Sequence, residues 1–504
     1  MADSKREIER KYDATDATRL PDLDRVAGVG SVAHEGVTEL DAVYYDTEDL
    51  RLAAVGVTLR RRTGGADAGW HLKLPVAAHV RDEVRAPLSD APPDQLTALI
   101  RSRTLDAPVV PVVRLVSARD VHVLTAPDGT ALAELSVDEV VAERLHGGGR
   151  TAAWTEIEVE LADDGDPAFL DTVGRVLEEH GIRPSAAPSK LARALGETAP
   201  AGTPPRTAAP AEPRTAGDHV LGYVRRQAEA IAALDPAVRR ELPDSVHRMR
   251  VATRRLRSAL RSHRRVLDRE ATAALGAELK WLAGELGADR DQEVLDARLR
   301  ARLDALPVTL AVGPVRARLR LRSAAGRSGS RRRTTAVLDS ARYLDLLRAL
   351  EALLAAPPLL PGAGAAPADE LARAVRKDHK RLAGRVARAL DLPAGPDRDA
   401  ALHSARKAAK RARYVAEAAR PVLGKPAKKA VKRLKAVQSL LGDHQDGVVA
   451  RAALRDLAVQ ADAAGEPSFT WGLLYGREEA AAAAAERELP AVWHRAHRAR
   501  PRRP

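Results

Sequence analysis

The segment Glu7-Ile8-Glu9-Arg10-Lys11 constrains the fold because it is strand-like yet charged along one face. Successive side chains of an extended strand point to opposite faces, so Glu7, Glu9 and Lys11 share one face. Such a face needs either water or a ligand. Two carboxylates suit a hard divalent cation, and the lysine suits an anion. The segment therefore indicates either a solvated edge strand or a site for a metal and a phosphate group.

The same alternation recurs through the first 200 residues. Glu156, Glu158 and Glu160 share one face of a later strand, and apolar residues occupy its other face. Basic segments lie between the acidic ones. Arg60 and Arg62 share one face of a strand, His71 and Lys73 share a face of the next, and a further strand places Arg81, Glu83 and Arg85 on one face. Every strand thus sets a charged face against an apolar one. A closed antiparallel barrel with a polar lumen and an apolar outside packed on helices satisfies this pattern.

Residues 1–196 resemble the CYTH domain, the triphosphate tunnel metalloenzyme family. The hallmark Glu-x-Glu-x-Lys strand matches residues 7–11. Further matches, in the family's order, are Leu59-Arg60-Arg61-Arg62, Leu72-Lys73-Leu74-Pro75, Glu156-x-Glu158-x-Glu160 and Ser189-Lys190. The resemblance implies an eight-stranded antiparallel tunnel barrel with flanking helices. It also implies a hydrolase that acts on a triphosphate with Mg²⁺ or Mn²⁺.

The resemblance also implies roles for individual residues. The metal would be bound by Glu7, Glu9, Glu156, Glu158 and Glu160. The triphosphate would be held for catalysis by Lys11, Arg60, Arg62, Lys73, Arg119 and Lys190. The register of Arg114, Glu134 and Asp138 is not fixed by the pattern. Arginine forks match phosphate oxygens in pairs, so a ring of such donors can hold a triphosphate in line.

Composition and charge divide the chain in two. With 504 residues, two or three domains are expected. A Pro/Ala-rich stretch at 197–216 is typical of a linker. Residues 1–200 hold 23 Lys and Arg against 35 Asp and Glu, a net charge of −12, and the remainder carries +25. This asymmetry predicts a polyanionic partner for the second half.

The absence of cysteine excludes a disulfide framework and thiolate metal sites. Residues 1–10 are charged and include no apolar signal-peptide core, and no run of about 18 apolar residues occurs. We therefore expect a cytoplasmic protein with no membrane partner.

The second half is helical by composition and spacing, and it contains a repeat. One basic stripe consists of His247, Arg250, Arg254 and Arg257, and another of His403, Arg406, Lys410 and Arg413. Spacings of three and four place each set along one side of a helix. Like charges at these spacings repel by some tenths of a kcal/mol per pair, so a stripe kept basic in both copies indicates a bound anion.

Residues 217–500 resemble the CHAD domain, the conserved-histidine α-helical domain. The matching segments are His247-x-x-Arg250, Leu286-Gly287-x-x-Arg290-Asp291, Arg413-Tyr414 and Gln438-x-x-Leu441-Gly442-Asp443. The resemblance implies two repeated four-helix-bundle units whose basic stripes bind inorganic polyphosphate. Gly287 and Gly442 are expected to end or kink helices, and Asp291 and Asp446 to orient basic neighbours. Few carboxylates lie near His247 and His403, which disfavours a metal there.

The sequence thus predicts a metal-dependent triphosphatase tethered to a polyphosphate-binding domain, in the cytoplasm or on polyphosphate granules. Alternatives are an adenylyl cyclase or thiamine triphosphatase of the same barrel family, for which Trp70 and Trp154 could contribute to a ring pocket. Another is a non-catalytic polyphosphate-binding or granule-associated protein. Specific nucleic-acid recognition is not expected, because 2 Phe, 7 Tyr and 5 Trp supply few stacking platforms.

Overall fold

The computed structural model describes residues 3–146, 148–199 and 212–497, which fall into two compact units, Met1–Pro210 and Ala211–Pro504. Most of the expected linker, residues 200–211, lies outside the described residues. The domain bounds 1–196, 197–216 and 217–500 therefore stay a prediction. No helix in the described ranges is long and apolar enough to cross a membrane.

The first unit is built around one antiparallel sheet that closes on itself. Its strands are β1 (Asp3–Ala14), β2 (Ser31–Asp46), β3 (Thr58–Thr63), β4 (Gly69–Ala77), β5 (Val80–Ala86), β6 (Val110–Thr125), β7 (Ala131–Arg144), β8 (Thr151–Leu161) and the short β9 (Arg183–Pro184). Their order is β5-β4-β3-β2-β6-β7-β8-β1-β9. Residues 3–8 of β1 pair with β5 and residues 9–14 pair with β8. This closure confirms the predicted eight-stranded barrel.

The barrel has an apolar outside and a charged inside, as the alternation predicts. On β8, Ile157 and Val159 are buried against Leu170 and Val173 of a packed helix. The intervening Glu158 lines the barrel lumen. Since strand side chains alternate, burying the apolar row outward forces the carboxylate row inward.

Three helices flank the barrel: α1 (Asp94–Thr104), α2 (Ala168–Glu179) and α3 (Lys190–Glu197). The last of them carries a lumen residue. Ser189 caps α3 by accepting a hydrogen bond from the backbone N–H of Ala192. Leu191 and Ala194 pack in the same apolar cluster as Trp154. The cap and this packing fix the first residue of the helix, Lys190, whose side chain lines the lumen.

The second unit is built from helices in the part of the chain that the structure describes, as predicted. Its helices are α4 (Ala216–Arg239), α5 (Ser245–Ser262), α6 (Ala273–Asp304), α7 (Val315–Asp339), α8 (Ala341–Ala355), α9 (Pro367–Asp391), α10 (Pro396–Ala418), α11 (Arg420–Ala463) and α12 (Phe469–His497). The two basic stripes lie on α5 and α10. One apolar core joins the two copies, since Leu299 of α6 and Leu319 of α7 cluster with Leu454 of α11 and Trp471 of α12.

The repeated glycines do not end or kink helices, so that expectation was wrong. Gly287 lies inside α6 and Gly442 inside α11, and the one break of helical geometry within α11 is at Gly424. A Cβ at Gly287 would lie 2.9 Å from a guanidinium nitrogen of Arg250, and one at Gly442 would lie 3.5 Å from that of Arg406. Both glycines leave room for an arginine side chain.

We predict that Ile157→Ala destabilises the barrel by roughly 2–5 kcal/mol, because it removes a fully buried side chain between sheet and α2. Hydrogen-exchange mass spectrometry in urea measures this, since it separates barrel peptides from helical ones. Val141→Ala is the matched control. Its side chain is 52% exposed on the same barrel, so a change within about 0.5 kcal/mol is expected. Equal losses in both variants would contradict the proposed role of the outer core.

Candidate active site and anion-binding cluster

The barrel encloses a cavity of about 310 Å³ whose lining is mainly charged. Every predicted phosphate-binding residue lines it, namely Lys11, Arg60, Arg62, Lys73, Arg119 and Lys190. They come from β1, β3, β4, β6 and α3, which the closed sheet brings together. The structure therefore gathers into one space a set of cations spread over 180 residues of sequence.

Lys190 is surrounded by three carboxylates. Its Nζ lies 2.9 Å from Asp138 Oδ2 and 2.9 Å from Glu156 Oε1, and it also contacts Glu158. Arg119 joins the same group, with Nε 2.8 Å from Asp138 and Nη2 2.7 Å from Glu158. Buried carboxylates and cations thus neutralise one another at this end of the lumen.

The five carboxylates assigned to the metal by resemblance separate into two sets. Glu156 and Glu158 lie in the group with Asp138. Glu7 forms an ion pair with Lys73 at 2.6 Å, and Glu9 accepts a hydrogen bond from Arg81 at 2.7 Å. Glu160 pairs with Lys5 at 2.8 Å. Their assignment to the metal stays a prediction.

The group of Asp138, Glu156 and Glu158 fits a divalent cation. Each offers one oxygen, and these oxygens all lie within 4.8 Å of one another. Carboxylate oxygens are the ligands that Mg²⁺ and Mn²⁺ prefer. The acidic residues present can therefore bind a divalent metal.

Sequence reasoning left several lumen residues without a role. Glu83 is buried, lies 2.9 Å from His71 and contacts Arg85. Tyr44 lines the cavity and accepts a hydrogen bond from Arg60 at 3.3 Å. Alternation on β5 does signal Glu83, since it shares a face with Arg81 and Arg85. Nothing local in the sequence signals Tyr44. Arg114 lies outside the lumen, where it pairs with Asp41 at 2.6 Å.

Burial and charge shift the pKa values of lumen groups in opposite ways. Burial alone would raise the pKa of Glu9 and of Asp138, but neighbouring cations hold both below their usual range. Burial lowers the pKa of Lys11 to about 7, because the charge of Glu9 offsets only part of the lost hydration. Burial likewise lowers the pKa of His71 to about 4, so this imidazole is neutral at pH 7. An anion entering beside Lys11 would favour its charged form.

In the helical unit the two basic stripes converge. Arg250 pairs with Asp291 at 2.9 Å, and Arg406 faces Asp446 at 3.5 Å. These repeat-related aspartates contact the basic residues, as expected of residues that orient them. Electrostatic interactions across the repeats link Lys410 to Arg250 and Arg254, and link Arg254 to Arg406. We call these four residues, Arg250, Arg254, Arg406 and Lys410, the basic cluster.

Charge in the basic cluster is incompletely neutralised. In the described part of the chain, neither Arg254 nor Lys410 has an ion-pair partner. Burial, followed by the like charges of Arg406, Arg254 and Arg250, lowers the pKa of Lys410 to about 7. An anion that binds beside Lys410 would therefore stabilise its charged form.

The other four stripe residues lie outside this cluster. His247 is exposed, and Arg257 and His403 are half-buried. Arg413 donates to Gln438 at 2.7 Å and lies over the Tyr414 ring at 4.6 Å. Their binding of polyphosphate stays a prediction.

The two units define a tunnel barrel followed by a helical domain of two repeats. The CYTH domain model matches residues 5–195, and the CHAD domain model matches residues 222–455. The chain therefore belongs to the family of proteins in which a CYTH domain is followed by a CHAD domain. CYTH domains typically act on triphosphate substrates.

Relatives of known sequence cover both units. Two proteins of Mycobacterium tuberculosis, from strains CDC 1551 and H37Rv, are each 40% identical over 96% of this chain and 95% of their own length. The CHAD domain from the plant Ricinus communis is 28% identical, with a TM-score of 0.45, over 56% of this chain and 92% of its own. PptA from Streptomyces chartreusis is 24% identical, with a TM-score of 0.42, over 56% of this chain and 99% of its own.

We predict that Glu158→Gln lowers Mn²⁺ affinity at least about tenfold, because it removes one charged oxygen from the three-carboxylate group. Mn²⁺ binding followed by electron paramagnetic resonance measures this. Glu160→Gln is the matched comparison, since its carboxylate pairs with Lys5 outside the group. An equal loss in both variants would assign Glu160 to the metal. No loss in the Glu158 variant would remove the group as a metal site.

Proposed function

We propose that this protein is a metal-dependent triphosphatase that hydrolyses inorganic triphosphate in the barrel lumen. The observation that carries the proposal is the lumen itself, where six cations face a cavity of about 310 Å³ beside a three-carboxylate group. A triphosphate carries about four negative charges, so several fixed donors are needed to bind it. Positioning and charge neutralisation supply most of the catalysis in phosphoryl transfer.

Exchange of ion-pair partners would prepare the lumen for substrate. Lys73, Lys190 and Arg119 each contact at least one carboxylate. Phosphate oxygens that take over these cations would release the carboxylates from their ion pairs. The released oxygens of Asp138, Glu156 and Glu158 would then hold Mg²⁺ or Mn²⁺. When bound, the metal supplies positive charge to the phosphate oxygens and makes phosphorus more susceptible to water.

The chain's own residues orient the reaction. Arg60, Arg62 and Lys73 project from β3 and β4, while Lys11, Arg119 and Lys190 project from β1, β6 and α3. Donors on both sides would fix the chain of phosphates so that water attacks the terminal phosphorus. The P–O bond to the next phosphate then breaks, and orthophosphate and diphosphate are the products.

The helical unit would bind inorganic polyphosphate through the basic cluster. Arg254 and Lys410 have no ion-pair partner in the described ranges, and anionic phosphate oxygens would supply one. The tether between the units would then hold the barrel near a polyphosphate store in the cytoplasm and raise the local concentration of short chains. Association with polyphosphate granules follows from the same binding.

The cyclase and thiamine triphosphatase alternatives need a surface for a flat ring. Among the described residues, Tyr44 is the one aromatic side chain that lines the cavity. Trp70 is fully buried, contacts Tyr45 and donates to the Ser89 carbonyl, and Trp154 packs beneath Arg193. The two tryptophans therefore stand outside the cavity lining, which favours an inorganic substrate.

The test is phosphate release with Mg²⁺ or Mn²⁺ across tripolyphosphate, ATP, thiamine triphosphate and long-chain polyphosphate. We expect tripolyphosphate to turn over fastest and chelation to abolish the activity. We expect Glu9→Gln to lower kcat by about 100-fold or more, because Lys11 and Arg81 lose the carboxylate that positions them. Glu179→Gln, on the exposed end of α2, is the control and should leave the rate unchanged.

Two outcomes would overturn the proposal. Faster turnover of ATP to a cyclic product would make the barrel a cyclase. No release from any substrate, together with tight and salt-sensitive polyphosphate binding, would leave the non-catalytic binding protein.

We predict that polyphosphate affinity falls as the pH rises above about 7. Lys410 has a pKa of about 7 in the free protein, and a bound anion raises it. Between the free and bound pKa values, binding takes up a proton, so affinity falls by up to about tenfold per pH unit. Calorimetry in buffers of different ionisation enthalpy measures this uptake. Lys410→Arg should keep binding but lower the uptake relative to the unchanged protein, because Lys11 in the lumen, whose pKa is also about 7, is left in place. An uptake equal to that of the unchanged protein would contradict the assignment to Lys410.

A further inference from the structure

A second cluster of side chains that could hold a metal ion lies on the barrel, outside the lumen. His34 on β2 and His122 on β6 are direct cross-strand partners, and their rings stack at 4.9 Å. Asp120 lies two residues before His122, on the same face of β6. His34 Nε2 is 2.5 Å from Asp120 Oδ1, and His122 Nε2 is 3.5 Å from Asp120 Oδ2. We call these three residues the outer histidine site.

The outer histidine site is separate from the candidate active site. Arg119 and Val121 line the lumen, so Asp120 and His122, which alternate with them, project from the other side of the sheet. Val137 and Leu135, on β7, are the cross-strand partners of Asp120 and His122 and belong to an apolar cluster. His34 is 57% exposed. The site thus has an apolar wall on one side and open access on the other.

We propose that the outer histidine site binds one transition-metal ion, with Zn²⁺ as the best-matched divalent cation. Two imidazole nitrogens and one carboxylate oxygen lie within 4.8 Å of one another. Zinc binds imidazole nitrogen and carboxylate oxygen at about 2.0–2.2 Å, and three such ligands leave a position open to water or to another ligand. Imidazole favours zinc over magnesium, so the donor set separates this site chemically from the three-carboxylate group.

The hydrogen-bonded arrangement is already close to what such an ion needs. Both imidazoles direct Nε2 toward the same carboxylate, which is how ligands that share a cation are oriented. A register shift between His34 and Gly36 sets the position of the His34 side chain beside its partner strand. Binding therefore replaces the hydrogen bond between His34 and Asp120 by a shared cation and requires little movement of the strands, which keeps the ordering cost low.

The experiment measures Zn²⁺ binding to the full-length protein by calorimetry with Mg²⁺ at about 10 mM, which competes for oxygen-rich sites. We expect one equivalent of Zn²⁺ to bind, and His34→Ala and His122→Ala each to weaken it at least tenfold. His180→Ala is the control, because His180 is an exposed histidine of the same unit outside the site. It should bind Zn²⁺ as the unchanged protein does.

Two further readouts do not depend on catalysis. Zn²⁺ should raise the melting temperature of the unchanged protein and of His180→Ala, but not of the His34→Ala/His122→Ala double variant. Cu²⁺ loaded at one equivalent should show couplings to two nitrogens by electron paramagnetic resonance. Binding that survives unchanged in the folded double variant, or no binding in the presence of Mg²⁺, would overturn the proposal. An absence of triphosphatase activity in the unchanged protein would leave these results unaffected, so the two proposals fail separately.

Discussion

Closure of the sheet through β1 is the constraint on which the lumen depends. One strand pairs with β5 over its first half and with β8 over its second half, and among the described residues no other strand joins those two edges. Without that closure, the charged faces of the strands would simply meet water. With it, carboxylates and cations are buried together, and removing hydration from each ion costs several kcal/mol unless a partner of opposite charge compensates.

The two units hold positive charge in different ways. In the lumen, Lys73, Arg119 and Lys190 are all paired with carboxylates, so an incoming phosphate exchanges one partner for another. In the basic cluster, Arg250 and Arg406 form ion pairs with aspartates. Arg254 and Lys410 have no ion-pair partner among the residues that the structure describes. Burial and mutual repulsion then lower the pKa of Lys410 to about 7. The lumen is suited to selecting a compact, highly charged substrate, and the cluster is suited to responding to any phosphate polymer and to pH.

The sequence was sufficient for the features that depend on strand and helix periodicity. Alternation alone predicted that Glu7, Glu9, Lys11 and Lys73 lie on the charged faces that line the lumen. The family resemblance correctly predicted an eight-stranded barrel and a helical second unit. Asp138 could not be placed, because its neighbours Arg119 and Lys190 come from another strand and from a helix fixed only by tertiary packing. Tyr44 was missed for the same reason.

The repeated glycines show a different limit. A glycine in a helical sequence is most often read as a terminus, yet Gly287 leaves room for Arg250, and no local pattern distinguishes the two uses. The tryptophans show the same limit, since Trp70 and Trp154 belong to apolar clusters of the outer core and do not line the cavity. The sequence shows that these side chains are aromatic, but only the packing of the folded barrel determines whether they face the lumen or the outer core.

The pairing of β1 with β8 also sets the order in which the barrel can mature on the ribosome. Residues 3–8 find their partners when β5 has been synthesised, by residue 86, whereas residues 9–14 must wait for β8, which begins at Thr151. Contacts of such long sequence separation form late and slowly. Until then Glu9 and Lys11 sit on an unfinished edge, so the charged lumen is completed in one late closing event rather than strand by strand. A nascent chain that stalls before residue 151 therefore presents an edge strand with unpaired backbone N–H and C=O groups, which chaperones can bind.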